Sequence, residues 1–292
     1  MRKAKLLLTV IILLAALVSY AQNTKSPLKK DSVAFAVIGD NGTGGSAQYE
    51  IAQRLTATRL KFPFDFVLMM GDNLYGGDNP RDFEKKFEKP YKTLLDLGVK
   101  FYAALGNHDD PGRQIVYEKF NMGGKKYYSF KPKDGVRFFA LDSNYMDKKQ
   151  LEWLEGELKA SASEWKIAFF HHPIYSSGEK HGSNVELRNV LEPVMVKYGV
   201  DVVFTGHEHF YERMKPQKGI NYFIVGSSGK LRKGNIGRSA LTAKGFDQDN
   251  SFMVAEIAGE EMFFQVISRK GQIVDSGTVR RAERSRKVST AK

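Results

Sequence analysis

Short apolar, β-branched and aromatic runs alternate along the chain with segments in which apolar residues recur every three or four positions. This is the pattern of strands interleaved with amphipathic helices in an α/β protein. The runs predict strands at Val33–Ile38, Phe66–Met70, Phe101–Leu105, Val136–Leu141, Ile167–Phe170, Val202–Thr205, Tyr222–Val225, Phe252–Ile257, Met262–Ile267 and Ile273–Ser276. Helical stripes lie between them: Ala47, Ile51 and Leu55; Phe83, Phe87, Tyr91 and Leu95; Leu151, Leu154 and Leu158; Leu187, Leu191, Val194 and Tyr198. Each stripe reads as a face buried in the core. Pro90 and Pro193 fall inside two of the stripes and blur where those helices begin. After Tyr222 the stripes stop and four strands follow closely, interrupted by a Gly- and Lys/Arg-rich loop from Gly226 to Gly245. A second, more antiparallel sheet region is expected there. No repeat or linker divides the pattern, so residues 32–280 are expected to form one domain.

The two ends do not fit that pattern. Residues 1–21 carry Arg2, Lys3 and Lys5, then an apolar run from Leu6 to Val18, then Ser19-Tyr20-Ala21, the layout of a cleaved secretory signal peptide. The run is shorter than the ~20 residues that span a bilayer. The chain is therefore expected to be exported, periplasmic or secreted, with residues 22–31 as a linker and no stable membrane insertion. Residues 281–292, with Arg280 before them, form a basic end expected to be a solvated tail.

These ends change the meaning of the charge. The whole chain carries 45 Lys+Arg against 33 Asp+Glu, a formal +12. Setting aside three bases at the start, and six bases with one acid from Arg280 onward, leaves about +4 on the body. A nucleic-acid-binding protein driven by charge is disfavoured, because no basic-aromatic interleaving accompanies the charge. With no cysteine, a disulfide scaffold, thiolate-bound metal and cysteine nucleophiles are all excluded.

The chemistry is concentrated directly after the strands. Their carboxyl ends run into Gly39-Asp40-Asn41-Gly42, Gly71-Asp72-Asn73-Leu74-Tyr75, Gly106-Asn107-His108-Asp109, His171-His172-Pro173 and Gly206-His207-Glu208-His209. In open α/β sheets the ligand crevice lies outside these ends, so the five tails can converge. Carboxylates, an amide, a phenol and imidazoles without sulfur suit Fe, Zn or Mn, and their number exceeds what one ion uses. A dinuclear site with a bridging carboxylate fits the set. The glycines allow sharp turns and close backbone approach.

In these five blocks the sequence resembles the calcineurin-like metallophosphoesterases, whose pattern is Asp, Gly-Asp, Gly-Asn-His-Asp/Glu, His and Gly-His-x-His. The block ending at Tyr75, with Gln150-Leu-Glu-Trp-Leu154 and the stretch from His171 to Gly182, is similar to the small, mammalian-type, tartrate-resistant purple acid phosphatases. The resemblance implies a four-layer α/β/β/α sandwich of two mixed sheets flanked by helices. It implies that Asp40, Asp72, Tyr75 and His209 bind a first metal, Fe(III). Asp72 would bridge to a second, Fe(II), Zn(II) or Mn(II), completed by Asn107, His171 and His207. His108 and His181 are then catalytic imidazoles over the substrate, and Asp109 is a candidate to orient His108.

The sequence departs from that family in places. His172 follows the ligand His171 and has no expected direct role. Asn41 stands where many purple enzymes carry an aromatic residue of the pocket wall. The segment from Leu141 to Gln150 is too short to hold a protease-sensitive activation loop. Lys230, Arg232, Lys233 and Arg238 could attract phosphate, although a solvated loop is the simpler account. The expected activity is hydrolysis of phosphate monoesters, in small molecules or phosphopeptides, by a monomer working at acid to neutral pH. A phosphodiesterase or nucleotide hydrolase with the same metals is the alternative, and a non-catalytic metal- or phosphate-binding protein is the reading from another class.

Overall fold

The computed structural model describes residues 29–161 and 164–281. The signal-peptide reading lies outside them, as does the basic end beyond Arg281. Two mixed sheets stack face to face. The first runs β1 (Val33–Ile38), β2 (Phe66–Met69) and β3 (Lys100–Ala103) in parallel, and the second centres on β5 (Val136–Ala140), β6 (Trp165–Phe169), β7 (Val202–Thr205) and β9 (Asn221–Val225), also parallel. β4 (Tyr128–Lys133) pairs antiparallel with β5, while β8 (Tyr211–Met214) and β10 (Thr242–Phe246) finish the opposite edge.

The antiparallel strands after Tyr222 correct the expected second sheet region. β11 (Ser251–Ala258), β12 (Glu261–Ser268) and β13 (Ile273–Arg280) extend the first sheet by pairing beside β1, whereas β9 belongs to the second sheet. β4, β8 and β10 are strands that apolar patterning does not reveal. Pro132 and charged residues break the alternation in β4, β8 reads Tyr-Glu-Arg-Met, and β10 contains Gly245.

Every residue of β1, Val-Ala-Phe-Ala-Val-Ile, is buried, as expected of a strand covered on both faces. Between the sheets Phe35 of β1 stacks on Phe66 of β2 at 5.6 Å and meets Phe138 of β5 edge-on at 5.2 Å. Outside the first sheet lie α1 (Ser46–Arg59) and a composite helix made of α2 (Pro80–Phe83), a π-helical turn (Glu84–Glu88) and α3 (Lys89–Asp96). Between β3 and β4 lies the short α4 (Pro111–Gln114), and outside the second sheet lie α5 (Lys148–Ala160) and α6 (Val185–Tyr198). Ile51, Leu55, Phe87 and Tyr91 pack on the first sheet, and Leu154, Leu158, Leu187 and Leu191 on Phe139, Ala168 and Phe170 of the second. These are the four layers α/β/β/α expected from the sequence.

Pro90 explains its own irregularity. It has no N–H to donate to the Lys86 carbonyl four residues earlier. That carbonyl instead accepts a hydrogen bond from Gln48 Nε2 of α1 at 2.5 Å. The π-helical turn absorbs the change of register. Pro193, by contrast, lies inside α6, which is capped by Asn184 and ends at Gly199 with φ 66°.

Candidate metal centre

β1, β2 and β3 are mutually parallel and so are β6 and β7, and contacts across the sheets bring all five tails to one edge: the His207 N–H donates to Asp40 Oδ2 at 2.8 Å and His171 Nδ1 lies 2.8 Å from Met70 O. The turns take a form the sequence reading did not anticipate. Asp40, Asp72 and His207 themselves adopt the left-handed conformation, with φ of 51°, 52° and 69°. Non-glycine residues hold such angles at a cost, and they cluster at functional sites. Gly106 and Gly206 matter for space: a side chain at Gly106 would run into the Asp72 carboxylate, and one at Gly206 would lie 2.7 Å from Asp40 Oδ2.

Two groups of donors result. In the first, Asp40 Oδ1 lies 3.2 Å from the Tyr75 hydroxyl and 3.4 Å from His209 Nε2, and the hydroxyl is 3.4 Å from the same nitrogen. Donor atoms of Asp40, Asp72 and His209 fall within 4.8 Å of one another. In the second, His171 Nε2 lies 3.0 Å from Asn107 Oδ1, 3.1 Å from His207 Nδ1 and 3.4 Å from Asp72 Oδ1. Asp72 therefore serves both groups.

The donor set fits cations. His171 Nδ1 lies 2.8 Å from the Met70 carbonyl, to which it donates, so its Nε2 presents a lone pair to the oxygens of Asn107 and Asp72. Acceptors facing acceptors call for a positive ion between them. The protonation energetics agree. Burial and the neighbouring Asp72 push the Asp40 carboxyl well above its ordinary range. Burial and nearby imidazoles push His171 well down and take His207 to about 2. Burial and Arg232 take His209 to about 3. Neutral imidazoles beside crowded carboxyls are ligands in their binding form.

A family model for calcineurin-like phosphoesterases matches residues 33–211. The chain belongs to that family. The phosphoesterase is also 31% identical over 255 residues to purple acid phosphatase 17 of Arabidopsis thaliana, covering 75% of each chain. It is 25% identical over 315 residues to tartrate-resistant acid phosphatase type 5 of Rattus norvegicus, covering 91% of this chain and 94% of the relative. It is thus a member of the purple acid phosphatases. Among solved structures, GAP50, the anchor in the inner membrane complex of Plasmodium, superposes with a TM-score of 0.79 at 20% identity, covering 88% of this chain and 91% of that one, which shows a shared fold.

At the mouth of the phosphoesterase site, His108 and His181 are both exposed. The His108 main-chain N–H donates to Asp72 Oδ1 at 3.0 Å, and its ring centroid is 4.9 Å from that of Tyr75. The His181 ring lies 4.3 Å from that of His207. Asp109 is turned away from the His108 ring. Its carboxylate accepts from the main-chain N–H of Gly106 at 2.8 Å and of Leu74 at 3.1 Å, and from the side chains of Asn73 and Gln114, both at 3.0 Å. Burial and the Asp72 charge lift this carboxyl to about 7. It fastens the strand tails of Tyr75 and His108 together.

Two residues without an expected direct role, His172 and Glu208, stand close to the phosphoesterase centre, and so does Lys230, which the sequence left between attracting phosphate and lying in a solvated loop. His172 groups with His171 and His207 within 4.8 Å, and its Nδ1 lies 2.9 Å from Ser143 Oγ. Glu208, fully buried and set between His207 and His209 in the chain, accepts from the Gly182 N–H at 2.7 Å and from Asn235 Nδ2 at 3.2 Å, which ties down the loop that carries His181. Lys230 reaches over Tyr75, its Nζ 3.6 Å from the ring centroid. The sequence signals are the place of His172 directly after His171, a charged residue inside Gly-His-x-His, and the basic character of the loop that carries Lys230. Asn41 is fully buried, its main chain in contact with Gly229.

Proposed function

We propose that this chain is an exported acid phosphatase that hydrolyses phosphate monoesters at a dinuclear metal site. The observation that carries the reading is the sharing of Asp72 between two groups of donors, one with a phenol and one with an amide oxygen. Asp40, Asp72, Tyr75 and His209 would hold Fe(III), and Asp72, Asn107, His171 and His207 would hold Fe(II), Zn(II) or Mn(II). When bound, the pair supplies a water acidic enough to be hydroxide at mild pH and charge to steady the phosphoryl oxygens.

The remaining steps fall to the protein. Asp72 also accepts the His108 main-chain N–H, so the loop bearing the proton donor is registered against the carboxylate common to both groups. From the exposed rim the His108 imidazole gives its proton to the departing alkoxide oxygen. His181, on the His207 side, contacts the substrate from the other rim. Asp109 keeps the loops of Tyr75 and His108 at fixed separation.

Metal analysis with a visible spectrum tests this directly. Two metals per chain are expected, with an absorption band from tyrosinate to iron that Tyr75→Phe abolishes. Protein that holds iron but shows no such band would rule out the iron–tyrosinate assignment. Turnover of p-nitrophenyl phosphate should exceed that of its bis ester, and the reverse preference would select the phosphodiesterase reading. Recovery of secreted protein beginning at Gln22 would support export.

A further inference from the structure

The His181 ring makes no hydrogen bond to the described residues, so its place 4.3 Å from the His207 ring is set by the main chain that carries it. Two fully buried acids that follow β7 hold that main chain. Glu208 Oε1 accepts the Gly182 N–H at 2.7 Å. Glu212 accepts the Ser177 N–H at 3.0 Å and the Ser177 hydroxyl at 2.6 Å. Gly178, between these two contacts, lies so close to Glu208 that a side chain there would run into Oε1.

The same loop is paired with the segment after β9. The Glu179 N–H donates to Asn235 O at 2.9 Å and the Gly237 N–H to Ser177 O at 2.8 Å, a short antiparallel pairing centred on Gly178 and Ile236. The segment is itself anchored by its main chain, in contrast to the solvated loop that is the simpler sequence reading. The Ser228 N–H donates to Gly39 O at 3.1 Å, Lys230 N–H to Asp40 O at 3.1 Å and Arg232 N–H to His209 O at 2.9 Å. Further on, the Asn235 N–H donates to Asp247 Oδ2 at 3.2 Å, and Asn235 Nδ2 reaches Glu208 Oε2 at 3.2 Å. Glu208 therefore gives one oxygen to the loop of His181 and the other to a segment rooted at Asp40 and His209.

A carboxylate with no exposure is an expensive way to fill this space. The Arg232 guanidinium stands 3.7 Å away, beyond hydrogen-bond reach, and buried ionic groups contribute little to stability over apolar ones. An apolar side chain could not accept two donors from two loops. We propose that Glu208 and Asn235 are a pair of positioning residues for His181, through which the segment after β9 sets where that imidazole meets the substrate. The proposal rests on the phosphatase reading above. It makes the polarity of the pair matter more than its shape. Glu208→Gln sets an amide donor against Asn235 Nδ2, and Asn235→Asp sets carboxylate against carboxylate. Both substitutions together restore a donor facing an acceptor and leave Oε1 at position 208 for the Gly182 N–H.

The test is kcat/KM for p-nitrophenyl phosphate in the metal-loaded wild type, Glu208→Gln, Asn235→Asp and the double variant, each with and without His181→Ala. Metal analysis and hydrogen–deuterium exchange over residues 178–182 accompany it. Each single substitution should lower kcat/KM about 10-fold, the scale of one charge-assisted hydrogen bond, and keep both metals. The double variant should return to within about 3-fold of wild type. In the His181→Ala background the same substitutions should change kcat/KM less than about 2-fold, because there is no imidazole left to position. Equal losses in that background, loss of a metal, or a double variant no better than the singles would overturn the pair. If Glu208→Gln does not fold, Asn235→Ala carries the same comparison with about a 3-fold loss, since it deletes one hydrogen bond and leaves Glu208 in place. If the wild type cleaves no phosphate ester, the phosphatase reading falls and deuterium uptake decides the pair: faster uptake at residues 178–182 in the singles, reversed in the double variant, supports it, and unchanged uptake refutes it.

Discussion

Lys86 donates from Nζ to the main-chain carbonyl of Tyr75 at 2.5 Å, reaching it from the π-helical turn. The same ammonium meets Asp82 Oδ1 at 2.6 Å and Gly77 O at 3.3 Å, so a largely buried charge has all three of its hydrogens used. Replacing Lys86 by methionine should loosen the loop that presents the phenol, at a cost of about 2 kcal/mol for the lost charge-assisted hydrogen bonds. Urea unfolding measures that cost. The proposed tyrosinate band should broaden or weaken in the same variant, and an unchanged band would show that the loop holds without Lys86.

His108→Ala should keep both metals and lose about 10²–10³ in kcat, since only proton donation and rim contact are removed. Metal content and turnover of an ester with a good leaving group separate the outcomes. Such an ester needs little protonation and should be spared. Loss of metal in this variant would instead make His108 a support of the Asp72 loop.

Gly106→Ala places a methyl group against the Asp72 carboxylate and main-chain nitrogen. Because Asp72 serves both donor groups, the substitution should lower occupancy of both metals together. Element analysis checks it. Loss of one metal with full retention of the other would argue against a shared Asp72.

The metal-free protein should lose stability in acid. His171, His207 and His209 sit far below the ordinary 6.5 when folded, so the unfolded chain binds more protons than the folded one between about pH 3 and 6.5. Stability from these groups is present above 6.5 and lost as pH falls. Asp40 and Asp109 act oppositely: their raised folded values favour the protonated folded state, and that gain fades as pH rises, towards about 7 for Asp109. Three imidazoles outweigh two carboxyls, so the urea midpoint should rise from pH 4.5 to 6.5. A midpoint that falls across that interval would contradict the buried, neutral state of the histidines.

The strands and tails that build the centre were legible because each donor block follows an apolar run directly, and a strand direction then fixes which edge the block reaches. β8 was not, since Glu212 and Arg213 are paired with distant partners, Ser177 and Asp275, that local sequence does not reveal. Asp109 reads in sequence as a partner of its chain neighbour His108, yet its acceptors are satisfied by Asn73 and Leu74 on another strand tail and by Gln114 in α4. Lys86 reads as an ordinary helix lysine until Pro90 and Gln48 are placed together. Lys230 reads as part of a solvated loop because main-chain bonds, which leave no mark in residue identity, hold it.

Those main-chain bonds have a consequence for how the protein can change. The rail from Ser228 to Arg232 is anchored to Gly39, Asp40 and His209 through atoms that every residue type except proline possesses. The side chain at position 230 can therefore be exchanged while the donor groups keep their places, whereas Arg232 also offsets the buried Glu208 carboxylate 3.7 Å away. What that side chain offers to the mouth of the centre becomes a one-codon adjustment, separable from the far less forgiving task of keeping the donor groups in register.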